Sequence, residues 1–451
     1  MMTYMNKTLA LPAFLLAVLL AACGGREAPA LPPDPSSVAP ATLAPTLPSA
    51  APAATATTRP PIAPTATAAA PVITAPAGGT LMTGPLVGFY IEDTYEDLYL
   101  SIYDAGTGTF RVIQSATPIY IDEAQWFDGG CRLFVHGQVT DLYGAVEWSL
   151  PPDVAARAGH VNTARLSPGR SYVAHAVAGE QGDAADIEII SLSPPYDAVR
   201  LTSGDGVRAF AWSADEAWLY HTGYDASGVL QVYRASPDGA TREQLTAHGV
   251  DSGGVDAPGT SVNAITGLSL SPGERYLAYS AQNLLQPSHP YTYQPVDEGW
   301  IGIIDLATGA SAAVRPAKFS SAEAGRGLVW DAAGENLLII GDSLPIAADD
   351  PDAGRRLLWV TPAGDVTRAL ATADGPEGAG GHMGWVAPLG DINTLLASVL
   401  NDTYLYEDGA FRLLDATEAP PLGIELGRRP FAVFPAPIGF PGEAACGALN
   451  Q

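Results

Sequence analysis

Hydrophobic positions between residues 81 and 451 fall in short runs that Gly, Pro, Asp and Ser separate. The runs are rich in Val, Ile, Leu, Tyr, Phe and Trp, and none keeps helical spacing long enough to predict a long amphipathic helix. Short apolar runs bounded by turn residues are typical of β-strands. We therefore expect an all-β structure from residue 81 onward.

One unit recurs along this region: an apolar run, a Ser or Asp, a tight turn, and a second apolar run. A third and a fourth run follow, as in GVLQVYRASPDG (228–239) and TREQLTAHG (241–249). Four strands in a repeat of about 40–60 residues predict the blade of a β-propeller. The copies of the first two strands are AQWFDGGCRLFVHG (124–137), TARLSPGRSYVAHA (163–176), FAWSADEAWLYHTG (210–223), LSLSPGERYLAYSA (268–281), LVWDAAGENLLIIGD (328–342) and GWVAPLGDINTLLAS (384–398).

These copies resemble the blades of TolB-like propellers and of the propeller portion of dipeptidyl peptidase IV-type proteins, whose core is W-S-P-D-G-K-x-I-A-F. In this chain SPGR, SADE and SPGE stand where that core has SPDG. The resemblance covers about 85–437. It implies a WD-like propeller fold, and it implies no particular activity because one fold serves many functions.

The units predict seven blades, and six blades, with two units merged, are the alternative. The first unit lacks an innermost strand, and RRPFAVFP (428–435) is expected to supply it and so close the ring. The expected blades are 85–121, 122–160, 161–206, 207–262, 263–322, 323–379 and 380–422.

Residues 1–22 have the pattern of an export signal. Lys7 precedes an apolar stretch from Leu9 to Leu20, which is too short to span a membrane. The following Leu20-Ala21-Ala22-Cys23 resembles the lipoprotein box of bacteria, which implies cleavage before Cys23 and acylation (diacylglyceryl and palmitate-type chains) of that residue. The alternative is an ordinary secretory signal with an incidental Cys.

The composition of residues 23–80 predicts a disordered tether that begins at the lipidated Cys23. The stretch 24–80 holds 13 prolines among Ala, Thr and Ser, so it lacks the apolar side chains for a core. The expected organisation is a signal peptide (1–22), a tether (23–80) and a propeller (81–451). A lipid anchor places the protein at the cell membrane or cell surface, on the extracytoplasmic side.

The net charge of the chain restricts the classes of molecule that it is expected to bind. The 451 residues include 22 Lys+Arg and 48 Asp+Glu, a formal charge of −26. That balance disfavours nucleic acid and polybasic docking on anionic lipid. The expected partners are therefore the membrane, through the lipid anchor, and a protein, peptide or glycan ligand.

With Cys23 assigned to lipid, Cys131 and Cys446 remain as an even pair in an exported setting, which predicts a disulfide. Blades one and two are neighbours, so the strand that holds Cys131 and the segment that holds Cys446, after the closing strand, are expected to lie close to each other. Two free thiols are the alternative.

Catalytic and metal motifs are missing from the sequence. Gly341-Asp342-Ser343-Leu344-Pro345 lacks the closing Gly of a nucleophile elbow, so Ser343 is interpreted as a loop residue. We expect no cofactor. Calcium is a weak alternative at Asp349, Asp350 and Asp352, where a solvated acidic loop is the favoured interpretation, as it is at Asp251 and Asp256.

The longer connections predict a ligand face. In a propeller, connections between second and third strands share a face with connections between blades, and the insertions 178–186, 246–263, 282–298 and 342–355 fall in these classes. The candidate ligand-face residues offer stacking rings and polar tips: His289, Tyr291, Tyr293 and Trp300. The alternative is a loop that packs its own aromatics over the blade edge. His136, His175 and His221 recur after second strands and are expected to serve packing or inter-blade hydrogen bonds.

The expected function is that of a membrane-anchored, extracytoplasmic lipoprotein whose propeller binds a ligand or scaffolds a protein, and an enzyme is the less favoured interpretation. The alternatives are a propeller-based hydrolase or lyase acting on glycan or peptide, and a TolB-like envelope assembly factor.

Overall fold

A computed structural model describes the protein. The chain divides into two units, 1–65 and 66–451, and all described residues lie in the second. They are residues 81–94, 97–113, 124–135, 137–158, 164–178, 185–202, 207, 209–248, 264–284, 296–314, 319–322, 327–343, 354–370, 383–399, 402–414, 429–437 and 440–446.

The described residues form seven antiparallel sheets, each one blade of a seven-bladed β-propeller. Blade 1 contains β29 (Arg429–Pro435), β1 (Leu86–Thr94), β2 (Asp97–Asp104) and β3 (Thr109–Ile113). Blade 2 contains β4 (Gln125–Phe127), β5 (Arg132–Val135), β6 (Gln138–Thr140) and β7 (Val146–Ser149). Blade 3 contains β8 (Arg165–Leu166), β9 (Tyr172–Ala178), β10 (Ala185–Ser191) and β11 (Ala198–Arg200).

The remaining blades follow in chain order. Blade 4 contains β12 (Phe210–Trp212), β13 (Leu219–Tyr224), β14 (Leu230–Ala235) and β15 (Arg242–Gln244). Blade 5 contains β16 (Ala264–Leu270), β17 (Tyr276–Leu284), β18 (Val296–Asp305) and β19 (Ser311–Val314). Blade 6 contains β20 (Phe319–Ala322), β21 (Leu328–Trp330), β22 (Leu337–Ser343), β23 (Gly354–Val360) and β24 (Val366–Leu370). Blade 7 contains β25 (Met383–Pro388), β26 (Leu395–Val399), β27 (Asp402–Glu407) and β28 (Ala410–Leu413).

Helices are short throughout the described part of the chain. They are α1 (Pro152–Arg157), α2 (Glu443–Cys446) and a 3₁₀ turn at Asp128–Gly130. None of the helices among these residues has the length and apolar character to cross a membrane.

The ring closes as the sequence predicts, with seven blades rather than six. The C-terminal strand β29 pairs antiparallel with β1, from Val87 opposite Pro435 to Glu92 opposite Arg429. Blade 1 therefore combines strands from both ends of the described chain, so opening the ring requires separating β29 from β1.

One blade boundary was predicted wrongly. The expected fifth blade, 263–322, includes β20, but β20 pairs with β22 and so belongs to blade 6. β21 pairs with the same strand, so two short strands share the innermost position of that blade. The segment between them, 323–326, lies outside the described residues.

The core lies between the blades. Leu338 and Trp359 of blade 6, for example, pack against Val386 and Leu395 of blade 7, and all four side chains are buried. Similar clusters of Val, Ile, Leu and aromatic residues join the other neighbouring blades. Each blade is thus buried on both faces, which explains why its inner strands are apolar at successive positions.

The recurrent Ser or Asp holds the turn between the first two strands. The hydroxyl oxygens of Ser167, Ser213 and Ser271 each accept a hydrogen bond, at 2.9 Å, from the backbone N–H five residues later. In blade 6, Asp331 holds the corresponding turn by accepting the Glu335 backbone N–H and the Asn336 side-chain amide N–H. These polar residues therefore recur because the turn needs an acceptor.

The recurrent Trp joins neighbouring blades. Trp212 of blade 4 donates its indole N–H to the Arg165 carbonyl of blade 3 at 3.0 Å, and its ring stacks on Tyr172. Trp330 of blade 6 makes the same two contacts with blade 5, through the Ser269 carbonyl at 3.1 Å and the ring of Tyr276. The repeat motif is thus a feature of blade packing.

The antiparallel strands define two faces. One face carries the connections between the first and second strands of each blade and between the third and fourth strands. We call it the turn face. It carries connections of up to six residues, such as 213–218. The opposite face carries the other connections, including 245–263 between β15 and β16, and we call it the loop face. The described strand ends that flank the four predicted insertions are at the loop face.

Both ends of the described propeller meet on the turn face. A disulfide joins Cys131, in the turn after β4, to Cys446 in α2, with a Cα–Cα distance of 5.3 Å. The buried Glu443 carboxylate accepts a hydrogen bond from the Met82 N–H at 2.8 Å. The buried Asp104 carboxylate accepts the Thr83 and Gly84 N–H groups. The predicted disulfide is therefore present, beside the start of the domain.

Candidate functional site

Most of the predicted site residues lie outside the described residues. They are Cys23, His136, Asp251, Asp256, His289, Tyr291, Tyr293, Asp349, Asp350 and Asp352. Lipidation, calcium binding and stacking by the 282–298 aromatics accordingly stay predictions. Among the residues that the structure does describe, no group of three or more His, Cys, Asp or Glu side chains could hold a metal ion.

Trp300 is placed differently from the prediction. It lies in β18, and only 6% of its surface is exposed, so it presents no stacking face to solvent. Its ring packs edge-on against His248 at 5.9 Å between centroids. The interpretation of Trp300 as an exposed ligand platform was wrong. The residue forms the wall of a site on the loop-face side of the blade 4–blade 5 junction.

Gln231 organises the blade 4 side of this junction. Its fully buried amide donates to Asp225 Oδ2 at 2.9 Å and to the His248 carbonyl at 2.8 Å. Its oxygen accepts bonds from Thr246 Oγ1 and the His248 N–H. Because all four hydrogen-bonding positions of the amide are used, Gln231 fixes the backbone where the chain leaves β15.

His248 is the residue that this network positions. Its ring packs edge-on against Tyr279 at 5.7 Å as well as against Trp300. Burial lowers the pKa of His248 to about 4, so the imidazole is neutral at neutral pH. Its buried Nε2 has no hydrogen-bond partner among the described residues. A neutral ring nitrogen is thus held ready to donate or accept one hydrogen bond.

Tyr279 supports the same site from blade 5. The side chain is buried, and burial raises the pKa of its hydroxyl, which stays protonated. Gly302 lies opposite it on β18, and a Cβ at Gly302 would be 2.1 Å from the Tyr279 ring carbon Cζ. Glycine is therefore required at this position to accommodate the phenol.

Two of the recurrent histidines serve packing, and their contacts lie within one blade. His175 bonds through Nε2 to Glu188 Oε2 at 3.0 Å, across the β9–β10 pair. His221 stacks on Tyr233 across the β13–β14 pair and bonds through Nδ1 to the Thr222 carbonyl. Burial lowers the pKa of His221 to about 4. These cross-strand contacts agree with packing, one of the two roles expected for these residues.

Ser343 was also interpreted wrongly. It is the last residue of β22, opposite Gly354 of β23, rather than part of a loop. Its backbone is extended, which differs from the sharp strand-to-helix turn of a nucleophile elbow.

Sequence reasoning missed His248 and Gln231. His248 stands at the end of TREQLTAHG, which the pattern marks only as an outer strand. Gln231 lies in the apolar run of a third strand, where a buried amide is unusual enough to be a signal. Their position next to Trp300 depends on how blades 4 and 5 pack against each other. The local sequence pattern of a single strand does not show this packing.

The site can provide one neutral hydrogen-bonding nitrogen within an aromatic wall, next to the connections 245–263 and 285–295. It holds Asp225 as a nearby carboxylate, whose lowered pKa reflects bonds from Gln231 and from the Val229 and Ser227 N–H groups that together outweigh its desolvation. Aromatic walls with a polar tip suit uncharged sugars and peptide groups.

Comparison with solved structures finds other propellers. A TolB-type protein of Agrobacterium tumefaciens is 14% identical and matches 65% of this chain and 91% of that chain, with a TM-score of 0.39. TolB from Acinetobacter baumannii is 12% identical and matches 78% and 83%, with a TM-score of 0.34. The Cps50 (Swd1) propeller domain of Myceliophteria thermophila is 15% identical and matches 75% and 99%, with a TM-score of 0.39.

No protein-family model and no curated protein sequence matches the chain. The similar structures include TolB and WD-like propellers, and their TM-scores are all below 0.5. The fold of this chain rests on its own strand pairing.

Proposed function

We propose that this protein is an anchored binding module of the extracytoplasmic surface, whose propeller holds a neutral glycan or peptide ligand at the loop face. One observation carries the proposal. The described strand ends that flank the long connections are at the loop face, whereas the N-terminal end of the described chain, at Leu81 and Met82, is tied to the turn face. Because the described chain starts at the turn face, an anchor that precedes residue 81 connects to the propeller on the side opposite these connections.

The rigidity of the ring supports this role. The disulfide, the β29–β1 pair and the Glu443 and Asp104 contacts fix the turn face. The recurrent Ser and Trp residues are used in turns and between blades. A rigid framework that carries variable connections on one side is a common arrangement for binding sites.

The blade 4–blade 5 junction is the proposed contact point. His248 Nε2 is the buried polar atom there without a partner among the described residues, and leaving such an atom unpaired costs about 1–3 kcal/mol. A ligand hydroxyl or amide that pairs with it recovers this cost. The adjoining predicted aromatics, His289, Tyr291 and Tyr293, would then contact the same ligand.

The test is a glycan-array and peptide-library screen of the full chain, with product analysis by mass spectrometry. We expect a ligand that is retained unchanged, and weaker retention by His248→Phe, which keeps the ring and removes its nitrogens. His221→Phe is the matched control, because it removes another buried histidine of blade 4 whose ring stacks on Tyr233 and not on Tyr279 or Trp300. A cleaved or eliminated product would replace the binding module with the hydrolase or lyase alternative.

Anchoring needs a separate test. Cys23→Ser should move the full chain from the membrane fraction to the soluble fraction, because the acyl chains attach to the Cys23 thiol and to the amino group released by cleavage. Retention of the variant on membranes would contradict the lipid anchor and leave the loop-face proposal untouched.

A further inference from the structure

A cavity of about 420 Å³ lies between blade 1 and blade 7, beside the turns 105–108 and 389–394. It belongs to the turn face and is therefore separate from the site at His248. Its volume is within the range of about 300–1,000 Å³ that is typical of small-molecule sites.

The walls of this cavity combine apolar side chains with uncharged polar groups, among them Thr107 and Thr394. The apolar part comes mainly from blade 7, through Leu389, Leu396, Leu405 and Leu414. Among the described lining residues, Arg412 of β28 carries the only charge. Arg412 is exposed and presents five N–H donors, so its guanidinium can contact a ligand anion while keeping other interactions.

Both rims of the cavity are held by hydrogen bonds. On blade 1, Asp104 Oδ1 accepts the Gly106 N–H at 2.8 Å, and Oδ2 accepts the Thr107 hydroxyl at 2.8 Å. On blade 7, Asp391 Oδ1 accepts the Asn393 N–H at 2.6 Å and the Thr394 N–H at 2.7 Å. The rim turns therefore lose little conformational entropy when a ligand binds, and this small entropic cost favours affinity.

Two carboxylates belong to the rim turns, the buried Asp104 and the exposed Asp391, and neither lines the cavity. Asp104 is fully buried. Its carboxylate accepts bonds from Thr83, Gly84, Gly106 and Thr107, which satisfy its charge within the protein. Among the described residues, Arg412 is the charged side chain that lines this cavity.

We propose that this cavity binds a small amphipathic anion, with an apolar body between the leucines and one carboxylate or similar group on Arg412. Apolar burial supplies affinity, and the guanidinium selects the anion over a neutral or cationic analogue. This site is independent of the loop-face proposal because the two share no residue.

The test is isothermal titration calorimetry of the full chain with 2-naphthoate and with its neutral analogue 2-naphthamide. We expect one site per chain, with 2-naphthoate bound about tenfold more tightly than 2-naphthamide. Arg412→Gln should remove this preference, and Leu405→Trp, which fills the cavity, should remove binding of both probes.

Arg242→Gln is the matched control. Arg242 also lies on an outer strand and stacks on Tyr233, 4.1 Å from the ring centroid, but it is in blade 4. This variant should bind both probes as the wild type does. Equal affinity for the two probes, no binding at all, or an unchanged preference in Arg412→Gln would each overturn the proposal. Circular dichroism confirms that the variants are folded.

Discussion

Individual polar residues in this propeller differ in whether their hydrogen bonds are complete. Gln231 uses every position of its amide, whereas His221 and His248 each keep a buried Nε2 without a partner among the described residues. Buried imidazoles without a compensating acid are stable only as the neutral form. The two histidines therefore link stability to pH.

For His221 the pH window follows from its pKa, which burial lowers from 6.5 to about 4. Above pH 6.5 neither the folded nor the unfolded chain protonates it. Between pH 6.5 and about 4 only the unfolded chain binds the proton, so the free energy of unfolding falls as the pH falls, by up to about 3 kcal/mol. Urea denaturation at pH 7, 5.5 and 4.5 measures this loss.

The control for this prediction is His221→Phe, which preserves the stack on Tyr233. The variant should lose markedly less stability than the wild type between pH 7 and pH 4.5, with the remainder coming from His248 and from carboxylates whose pKa the fold lowers, such as Glu216. Identical pH profiles for the two proteins would show that His221 does not titrate as its burial implies.

At the scale of elements, departures from the repeat motif have structural roles. Arg170, Glu216 and Glu274 stand where the core motif has Gly, and each has a positive φ, between 57° and 59°. Their side chains reach the preceding blade: Arg170 bonds Asp128, Glu216 bonds Ser167 and Ser171, and Glu274 bonds the Ala214 N–H. Inter-blade contacts thus offset an unfavourable backbone conformation.

Variants of Glu216 separate these two effects. Glu216→Ala keeps the positive φ and removes the contacts with blade 3, so we expect it to lower the free energy of unfolding by about 1–2 kcal/mol. Glu216→Gly also removes the contacts but relieves the backbone, and its loss should be smaller. Urea denaturation of both variants measures the difference, and a larger loss for Gly than for Ala would contradict this account.

The elements also show how far the sequence predicts the structure. Turns with Ser or Asp mark the first two strands of blades 3–6, because an acceptor side chain and a left-handed residue are local requirements. β20 was assigned to the wrong blade because FSSA carries no such turn. Trp300 and His248 were beyond local reasoning, since strand alternation does not reveal which blade face a side chain packs against.

At the scale of the whole molecule, three contacts close the ring around blade 1. β29 pairs with β1, the disulfide spans 315 positions of sequence, and Glu443 bonds Met82. The β pair keeps the ring closed without the disulfide, so the bridge contributes chiefly by restricting the unfolded chain.

Replacing both Cys131 and Cys446 by Ser should leave a folded propeller whose free energy of unfolding is lower by about 5–6 kcal/mol, on the chain-entropy estimate for a loop of 315 positions. Urea denaturation and intact mass measure this loss and confirm the bridge in the native protein. Wild-type protein unfolded in reductant is the control and should approach the variant. Native protein with two free thiols would contradict the closure described above.

The separation of the two faces is the central claim, and hydrogen exchange of the full chain tests it most directly. With the ligand that the library screen retains, the account predicts slower exchange at 225–248 and 296–302, around His248 and Trp300. It predicts unchanged exchange in turn-face connections such as 192–197 and 306–310. Protection concentrated on the turn face, with none at the blade 4–blade 5 junction, would contradict the account.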